Sequence, residues 1–270
     1  VDDVAATIGT RANGYVADVT DYAALDAAVR AGIERFGGID IVVANAGVGT
    51  YGSFRNMAPP ETFRRGIDIN VNGVFFTVRA ALPLDHRTSG GYLLLVSSMA
   101  AFLPGPGMGP YAPGKAAVDH LATSLRAEVG RLGVAVGSAH MSWIDTPLIR
   151  DIQSDLSVFD DYLKKLGPPL DEIVGVDVCA DAFVRGIARR QRRIYVPRLG
   201  RRRRMVQALA LHPSRRPVVR TRTRRLPRED RRRCCRATSG QQWAQRHDGE
   251  HAHRRRDRSM TSVATSLITE

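Results

Sequence analysis

Short apolar runs alternate with amphipathic segments along the first two thirds of the chain. Residues 39–44, 92–96, 134–139 and 194–196 are short and mostly apolar, which is typical of buried strands. The run at 92–96 is apolar throughout, as expected for a parallel strand covered on both faces. Because no hairpin signal separates these runs, the pattern predicts a parallel α/β sheet with right-handed crossovers.

The amphipathic segments between these runs predict the helices. The first begins at a cap, either Thr20 or Asp21. Its apolar stripe repeats every four residues, at Leu25, Val29 and Ile33. Further helices are predicted over residues 60–82, 115–131 and 178–189, and a mixed apolar segment covers residues 148–166.

Charge is unevenly distributed along the chain. The 270 residues carry a net charge of +13, but residues 195–270 alone hold 21 Arg against 6 acidic residues. Like-charge blocks without a sustained apolar period are typical of disordered segments. We therefore predict a folded domain over residues 1–198 and a disordered Arg-rich tail over residues 199–270. Because the chain has 3 Lys against 37 Arg, one hypothesis for the tail is out-of-frame translation of GC-rich DNA.

Composition excludes several classes of protein. The three cysteines, Cys179, Cys234 and Cys235, cannot form a disulfide framework. No apolar run approaches the roughly 18 residues of a membrane span. The first residues, Val-Asp-Asp, do not resemble a signal peptide, since they lack a basic segment followed by an apolar one. These features favour a cytoplasmic protein without a membrane span.

The Arg-rich tail offers a remote alternative function, which is nucleic-acid binding through phosphate groups. Beyond residue 198 the only aromatic side chain is Trp243, so specific or stacking recognition of nucleic acid is not expected. His247, His251 and His253 lie in the same segment. Because a disordered segment holds no fixed ligand geometry, no metal site is expected there.

The main chemical signal is Tyr111-Ala-Pro-Gly-Lys115 at the start of a predicted helix. Side chains four residues apart lie on the same face of a helix. An ammonium group beside a phenol favours the phenolate, which lowers the phenol pKa from its ordinary value of about 10. The spacing therefore predicts that Tyr111 gives and takes a proton near neutral pH.

Other polar residues stand at matching places in the predicted sheet. Ser98 lies 13 residues before Tyr111 at the end of a strand, Asn45-Ala46-Gly47 ends another strand, and Asn70 lies within a helix. In these residues, in their order and spacing, the chain resembles the classical short-chain dehydrogenase/reductase family over residues 1–198. The resemblance implies a Rossmann-like, doubly wound parallel sheet.

The resemblance also implies a role for each residue of the motif. Tyr111 would pass a proton to or from the substrate oxygen, and Ser98 would hydrogen-bond that oxygen. Lys115 would bind the ribose hydroxyls of a nicotinamide cofactor and lower the pKa of Tyr111. Asn70 would hold a water that links Lys115 to solvent.

Two of these assignments have a close rival in the sequence. Ser97 is the alternative to Ser98, and the 13-residue spacing favours Ser98. Asn72 is the alternative to Asn70, whose place before Val-x-Gly favours it. An Asn inside a helix can also simply fill a polar gap.

The resemblance further implies a set of cofactor contacts. Asp18 and Val19 would contact the adenine, although Asp18 is equally suited to start a turn. Thr146 would lie near the nicotinamide carboxamide, whereas Met141-Ser142 replaces the Pro-Gly usual in the family. His140 is expected to pack behind the site. With Tyr111 and Lys115, the implied cofactor-binding residues are Asp18, Val19, Asn45, Ala46, Gly47 and Thr146.

One departure from the family is large. The family opens with a strand, a Thr-Gly-x-x-x-Gly-x-Gly turn that cradles the pyrophosphate, a helix and a second strand. No such turn precedes Asp18 in this chain. The sequence therefore predicts a sheet that lacks its first βαβ unit, with a strand at residues 15–18 left apart from the others. Because the strand that selects the cofactor is missing, either NAD or NADP is expected.

The implied activity is hydride transfer between NAD(P) and an alcohol/ketone pair. The alternative is an inactive fragment of such an enzyme that cannot bind cofactor. We expect self-association of the full-length protein through the helix that carries Asn70 and the helix after Lys115, which has Ala116, Leu121 and Ala122. A flap over a lipophilic substrate is expected from Leu148, Ile149, Ile152, Leu156, Val158, Phe159, Tyr162, Leu163 and Leu166.

Overall fold

A sheet of four parallel strands forms the centre of the computed structural model. Its strands have the spatial order β1-β2-β3-β6, and β4 pairs in parallel with β5 in a small separate sheet. The predicted Rossmann-like parallel α/β fold is confirmed. The strands are β1 (Ile41–Ala44), β2 (Tyr92–Val96), β3 (Ala135–Met141), β4 (Trp143–Ile144), β5 (Ile173–Val174) and β6 (Arg193–Val196).

The structure describes most of the predicted domain and none of the Arg-rich tail. The tail at residues 199–270 lies outside the described residues, and so do Leu156 and Val158 of the predicted flap. The division between domain and tail therefore stays a prediction. The described residues are 2–50, 60–82, 91–105, 107–109, 111–155, 159–168 and 170–198.

Helices occupy the segments between the strands. The Asp21 carboxylate caps α2 by accepting a hydrogen bond of 3.1 Å from the Ala24 amide. A π-helical turn at Asp68–Asn72 joins α3 to α4. No helix among the described residues combines the length and apolar character that a membrane span needs. The helices are α1 (Asp2–Ile8), α2 (Tyr22–Phe36), α3 (Pro60–Ile67), α4 (Gly73–Ala81), α5 (Tyr111–Val129), α6 (Pro147–Asp155), α7 (Phe159–Leu166) and α8 (Val176–Ala188).

Two apolar layers enclose the main sheet. On one face, Leu93 and Leu95 of β2 pack with α2, α4 and α5. On the other face, Tyr92 and Leu94 pack with β6 and α8. Every residue of β2 is buried, as its uniformly apolar sequence predicts. The carboxyl ends of β1, β2 and β3 consequently meet at one rigid edge of the sheet.

Residues 15–18 do not form the predicted strand. They are irregular, and Val16 is 61% exposed. A short strand is stable only when neighbouring strands satisfy its backbone. Among the described residues, β1 is the edge of the main sheet and pairs with β2 alone. The position beside β1 is where the sequence predicts the missing βαβ unit.

Alanine at Gly137 is expected to destabilise the fold. A Cβ built there overlaps the Tyr92 hydroxyl and the main-chain oxygen of Gln191. These two groups share a hydrogen bond of 2.7 Å, so neither moves freely. We expect Gly137→Ala to lower the free energy of unfolding by about 1–3 kcal/mol in urea denaturation. The control is Gly130→Ala, where a Cβ meets no atom within 4 Å; equal losses in the two variants would contradict the prediction.

Candidate active site

A cavity of about 350 Å³ opens at the carboxyl edge of the main sheet. The loops after β1 and β2 contribute Asn45 and Ser98 to its lining, the segment after β4 contributes Thr146, and the start of α5 contributes Tyr111 and Lys115. Ligands of open α/β sheets bind outside the carboxyl ends of the strands. The structure thus brings these five predicted residues, and Gly47 with them, together at the expected edge.

Ser98 is the first residue after β2 whose amide does not pair with β3, since Ser97 still donates its amide hydrogen to the Ala139 oxygen. Its hydroxyl accepts a hydrogen bond of 3.1 Å from the Ala100 amide and lies 3.4 Å from the Met141 carbonyl oxygen. It also hydrogen-bonds the Tyr111 side chain. The rival Ser97 donates to the main-chain oxygen of Lys115 at 2.7 Å and is 1% exposed. Ser97 therefore holds α5 against β2, while Ser98 presents its hydroxyl to Tyr111.

Tyr111 is half-buried at the start of α5. Burial raises the pKa of its phenol, and the hydrogen bond with Ser98 acts in the opposite direction. The Lys115 ammonium nitrogen lies 5.8 Å from the centre of the Tyr111 ring. The sequence predicts a phenol pKa lowered by Lys115, but in the structure desolvation dominates and raises the pKa.

Lys115 is an almost fully buried cation, with 4% of its surface exposed. Its Nζ donates a hydrogen bond of 3.0 Å to the Val96 carbonyl oxygen at the end of β2. Desolvation lowers its pKa to about 8 because burial penalises the charged form. Near neutral pH this side chain still carries a proton, and it releases that proton more easily than an ordinary lysine.

Asn70 occupies the π-helical turn between α3 and α4, a kind of turn that often marks functional sites. Its Oδ1 accepts from the Val48 amide and its Nδ2 donates to the Val48 oxygen, both at 2.9 Å. The rival Asn72 is exposed and donates to Asp68 at 2.9 Å. Asn70 therefore clamps the loop after β1 and does not itself line the cavity; its predicted catalytic role and water contact stay predictions.

At Gly47 the loop after β1 lies close to the side chains of both Asn70 and Lys115. A Cβ on Gly47 would lie 2.9 Å from Asn70 Oδ1 and 3.2 Å from Lys115 Nζ. Any side chain at this position would displace one of these polar groups. Its lack of a side chain is thus what allows the loop after β1 to lie against Asn70 and Lys115.

Gly47→Ala is expected to damage the site more than the fold. The added methyl group displaces Asn70 Oδ1 or Lys115 Nζ, so we expect turnover to fall about tenfold or more, since such displacements misalign reacting groups. The free energy of unfolding should fall by about 1–2 kcal/mol. The matched control is Gly38→Ala, where a Cβ meets open space. Full turnover in Gly47→Ala would show that the close approach is dispensable.

Comparison with known proteins gives the same assignment. The family model described as "short chain dehydrogenase" matches residues 1–157, which is more than half of the chain. The chain belongs to the short-chain dehydrogenase family. A putative short-chain type dehydrogenase/reductase from Mycolicibacterium smegmatis is 36% identical over 152 residues, covering 56% of this chain and 54% of that protein.

Two further proteins are similar to this short-chain dehydrogenase. An uncharacterized NAD-dependent oxidoreductase from Mycobacterium tuberculosis is 39% identical over 49% of this chain and 48% of its own. The crystal structure of a 3-ketoacyl-(acyl-carrier-protein) reductase from Brucella melitensis, complexed with NADH, has a TM-score of 0.63 at 26% identity. It covers 72% of this chain and 81% of that one. The chain spans about half the length of the two curated relatives that it matches.

The predicted cofactor contacts of this short-chain dehydrogenase fall into two groups. Asn45, Gly47 and Thr146 line the cavity, and Thr146 Oγ1 donates to the Ile144 oxygen at 3.1 Å. Ala46 packs beside the small apolar cluster that contains Val19. The hydroxyl, amide and ammonium groups of this lining are of the kind that would bind a nicotinamide and its ribose; the cofactor contacts themselves stay predictions.

Asp18 and Val19 do not line this cavity. The Asp18 carboxylate accepts hydrogen bonds from the Thr20 amide at 2.9 Å and the Thr20 hydroxyl at 2.8 Å, which is the turn contact of the alternative interpretation. Val19 is 1% exposed, and its side chain fills the space where Gly73 has no Cβ. Their adenine contacts stay predictions.

The described residues of the predicted flap fall into two groups. Leu148, Ile149 and Leu166 line the cavity. Ile149 also belongs to an apolar cluster under the flap, together with Ile152, Phe159 and Leu163. One part of the flap therefore anchors it to the domain, and another part faces the space where a substrate would lie.

Several residues that line the cavity belong to no motif in the sequence. Trp143 is fixed by a hydrogen bond of 3.0 Å from its indole nitrogen to the Leu170 oxygen and by an edge contact with Phe159. Leu103 and Met108 come from the Gly/Pro-rich loop before α5. Loop residues without periodicity give no sequence signal, whereas Trp143 is recognisable as a large apolar residue three positions before Thr146.

Proposed function

We propose that this chain carries the active site of a nicotinamide-dependent oxidoreductase that interconverts an alcohol and a carbonyl compound. The observation that carries the proposal is the contact between Ser98 and Tyr111, with the buried Lys115 beside them, at the wall of one cavity. Reduction of a carbonyl group needs a proton donor, a hydroxyl group that binds the carbonyl oxygen, and a nearby cation.

Each residue has a distinct task in the proposed reaction. When bound, the nicotinamide supplies or accepts the hydride. Tyr111 gives its phenolic proton to the carbonyl oxygen during reduction and takes it back during oxidation. Ser98 holds that oxygen and stabilises the phenolate through its hydrogen bond. Lys115 lowers the cost of the phenolate charge and binds the ribose, and Asn70 fixes the loop that faces both.

The proposed substrate is a lipophilic secondary alcohol or ketone. Apart from Lys115, the cavity lining among the described residues contains no charged side chain. Such a lining excludes water from the hydride path and offers no partner for a phosphate or carboxylate. The apolar residues that define it are Met99, Leu103, Met108, Trp143, Leu148 and Leu166.

NAD is the cofactor that we propose. The similar proteins favour it, since one is named an NAD-dependent oxidoreductase and the solved reductase is complexed with NADH. Within this chain, the lining around Gly47 fits the nicotinamide end. The family's pyrophosphate-binding turn does not occur before Asp18, so the other half of the cofactor has no recognisable partner there.

The test is a panel of ketones offered with NADH or with NADPH. The rate of each reaction is measured as the loss of absorbance of the reduced cofactor. We expect aliphatic, cyclic or steroid-like ketones to react faster than sugars, polyols or phosphorylated sugars, and NADH to be preferred. A preference for polyols or sugar phosphates would refute the lipophilic assignment. Turnover that survives unchanged in Tyr111→Phe would refute the catalytic one.

The second candidate is a chain that keeps the site but does not bind the whole cofactor. Residues 1–17 contain no Gly-rich turn, and among the described residues one edge of β1 is unpaired; both observations favour it. Calorimetric titration with NADH and with reduced nicotinamide mononucleotide distinguishes the two. A working site binds NADH much more tightly, because the adenylate half adds contacts. Equal, weak affinities would support the second candidate.

We also propose that the protein self-associates through α4 and α5. Phe75 on α4 is 48% exposed, which is unusual for a large aromatic side chain without a partner surface. Ala116 and Leu121 on α5 are half-buried, whereas Ala122 is 0% exposed and packs inside the domain, so it is not available to a partner. Light scattering should show a dimer or larger species, and Phe75→Arg should shift it to the monomer. A monomer at micromolar concentration would contradict the proposal.

A further inference from the structure

A fully buried histidine lies behind Ser98, on the side away from the cavity. His140 on β3 is 0% exposed and does not line the cavity. Its Nδ1 lies 3.4 Å from the main-chain oxygen of Ser98. A carbonyl oxygen only accepts hydrogen bonds, so this contact requires a hydrogen on Nδ1 of His140.

The other ring nitrogen of His140 is held by a polar chain that reaches the edge of the sheet. His140 Nε2 lies 2.9 Å from Ser138 Oγ and 3.2 Å from Asp119 Oδ1. Ser138 Oγ in turn donates to Asp119 Oδ1 at 2.9 Å. The second carboxylate oxygen, Asp119 Oδ2, accepts from Arg193 Nη2 at 3.2 Å. Strand β6 is thereby linked to the residue that lies behind Ser98.

Asp119 is well suited to be an ionised anchor of this chain. Burial would raise the pKa of its carboxyl group, but hydrogen bonds from His140 and Ser138 and the charge of Arg193 bring the pKa below its ordinary value. The carboxylate is therefore ionised near neutral pH, and it accepts hydrogen bonds from both sides. A buried ring tied to such an anchor keeps one orientation.

Two aromatic rings pack against the His140 ring. Tyr195 of β6 stacks on it at 5.2 Å between ring centres, and Phe102 lies at 4.7 Å. The Arg193 guanidinium lies 5.7 Å from the centre of the Phe102 ring. The imidazole is thus fixed by its neighbours in the plane and out of the plane, and Nδ1 points at a single acceptor.

The Ser98 oxygen is the point at which this arrangement reaches the reacting groups. It accepts from the Ala101 amide at 3.1 Å as well as facing His140. The same short turn donates the Ala100 amide to the Ser98 hydroxyl. A change in the direction of the Ser98 carbonyl therefore also changes the direction of its hydroxyl, and so the hydrogen bond with Tyr111.

We propose that Arg193, Asp119 and His140 form a positioning chain that fixes the Ser98 main chain and keeps its hydroxyl directed at Tyr111. The expected effect of these three residues on turnover rests on the proposed function. None of the three touches the cavity, so they are positioning residues and not catalytic ones. Outer partners of reacting groups typically change activity about 10–100-fold in well-studied sites.

Two substitutions of His140 separate its two contacts. The amide nitrogen of asparagine occupies the place of Nδ1 in histidine, whereas that of glutamine occupies the place of Nε2. We expect His140→Asn to keep the contact with Ser98, and His140→Gln to lose it while keeping the contacts with Ser138 and Asp119. The expected kcat is about tenfold lower in His140→Gln than in His140→Asn. KM should be nearly equal in the two, because the substrate contacts are intact.

A second measurement does not depend on turnover. In protein labelled with ¹³C at tyrosine Cζ, the Tyr111 resonance is assigned as the one absent in Tyr111→Phe. Ser98→Ala removes the hydrogen bond to the phenol and gives the reference shift. We expect the resonance in His140→Gln to move toward the Ser98→Ala position, and in His140→Asn to stay at the parent position. If the chain reduces no ketone at all, the proposed function fails, and this resonance alone decides the positioning proposal.

A third variant is available if His140→Gln does not fold. Asp119→Asn keeps the shape of the side chain but weakens the anchor of His140, so kcat should fall severalfold and the Tyr111 resonance should move part of the way. The control is Asp181→Asn, which removes one charge of an exposed pair with Arg185 on α8. An unchanged resonance in both Asp119→Asn and His140→Gln would overturn the proposal, and so would equal kcat values in His140→Gln and His140→Asn.

Discussion

Replacement of Tyr111 by phenylalanine is expected to lower turnover about 10²–10⁴-fold, the usual contribution of a general acid/base group. The variant keeps the ring, its half-buried place at the start of α5 and its contact with the Lys115 side chain. It loses only the hydroxyl that would carry the proton. Binding of reduced cofactor, measured by its fluorescence, should change little, because the proposed cofactor contacts of the chain lie mainly at Asn45, Gly47 and Lys115.

The matched control for this experiment is Tyr22→Phe. Tyr22 is an exposed tyrosine on α2 whose ring meets Phe76 edge-on at 5.8 Å between centres. Removal of its hydroxyl leaves the cavity unchanged, so turnover should equal that of the parent. A Tyr111→Phe protein within about threefold of the parent rate would falsify the proton-transfer role, since general acid/base groups supply much more.

Replacement of Lys115 by methionine is expected to abolish turnover and at the same time to stabilise the folded chain. Desolvation lowers the pKa of Lys115 from 10.5 to about 8, so at neutral pH the folded state holds a charged group in an unfavourable place. This difference corresponds to at most about 3 kcal/mol of lost stability. Methionine fills the same space without a charge. Loss of the hydrogen bond to the Val96 oxygen offsets part of the gain.

The gain in stability from Lys115→Met should depend on pH in a defined direction. The folded pKa of about 8 lies below the unfolded value of 10.5, so between these values the unfolded chain binds more protons. The stability contributed by this residue therefore rises with pH across that window in the parent and does not in the variant. The gain should be greatest below pH 8 and fade toward pH 10.5. Urea denaturation of both proteins, with exposed Lys164→Met as control, measures it; a difference independent of pH would contradict the prediction.

Strong periodicity and spacing made the fold and the centre of the site predictable. The apolar run at 92–96 is β2, the fully buried strand. The 13-residue spacing favours Ser98 over Ser97, and it is Ser98 that contacts Tyr111 in the structure, whereas Ser97 binds the main chain of Lys115. The buried face of α5 does not follow a strict four-residue spacing. Ala117 is exposed, and the buried face runs through Val118, Ala122, Leu125 and Val129, because a helix of period 3.6 drifts away from a strict four-residue spacing.

What could not be predicted depends on partners distant in the sequence. Residues 15–18 have the composition of a strand, but a strand exists only when another lies beside it. The pKa of Tyr111 follows burial and not only the nearby charge, and burial is set by loops without periodicity. The chain from Arg193 through Asp119 to His140 joins a helix to two strands, so no local pattern indicates it.

The parallel order of the main sheet also bears on how the protein folds. Ala44 pairs with Leu95, Val96 with Ala139, and Ala139 with Ile194, so each pairing closes a long loop of chain. Sheets made of such distant pairings form slowly, because the entropy of loop closure is lost before the contacts are gained. Ser98 acquires its partners on Met141 and His140 only after β2 and β3 have paired. During refolding, the native environment of Ser98 should therefore appear no earlier than the central sheet, and any intermediate that has helices but no paired strands should be inactive.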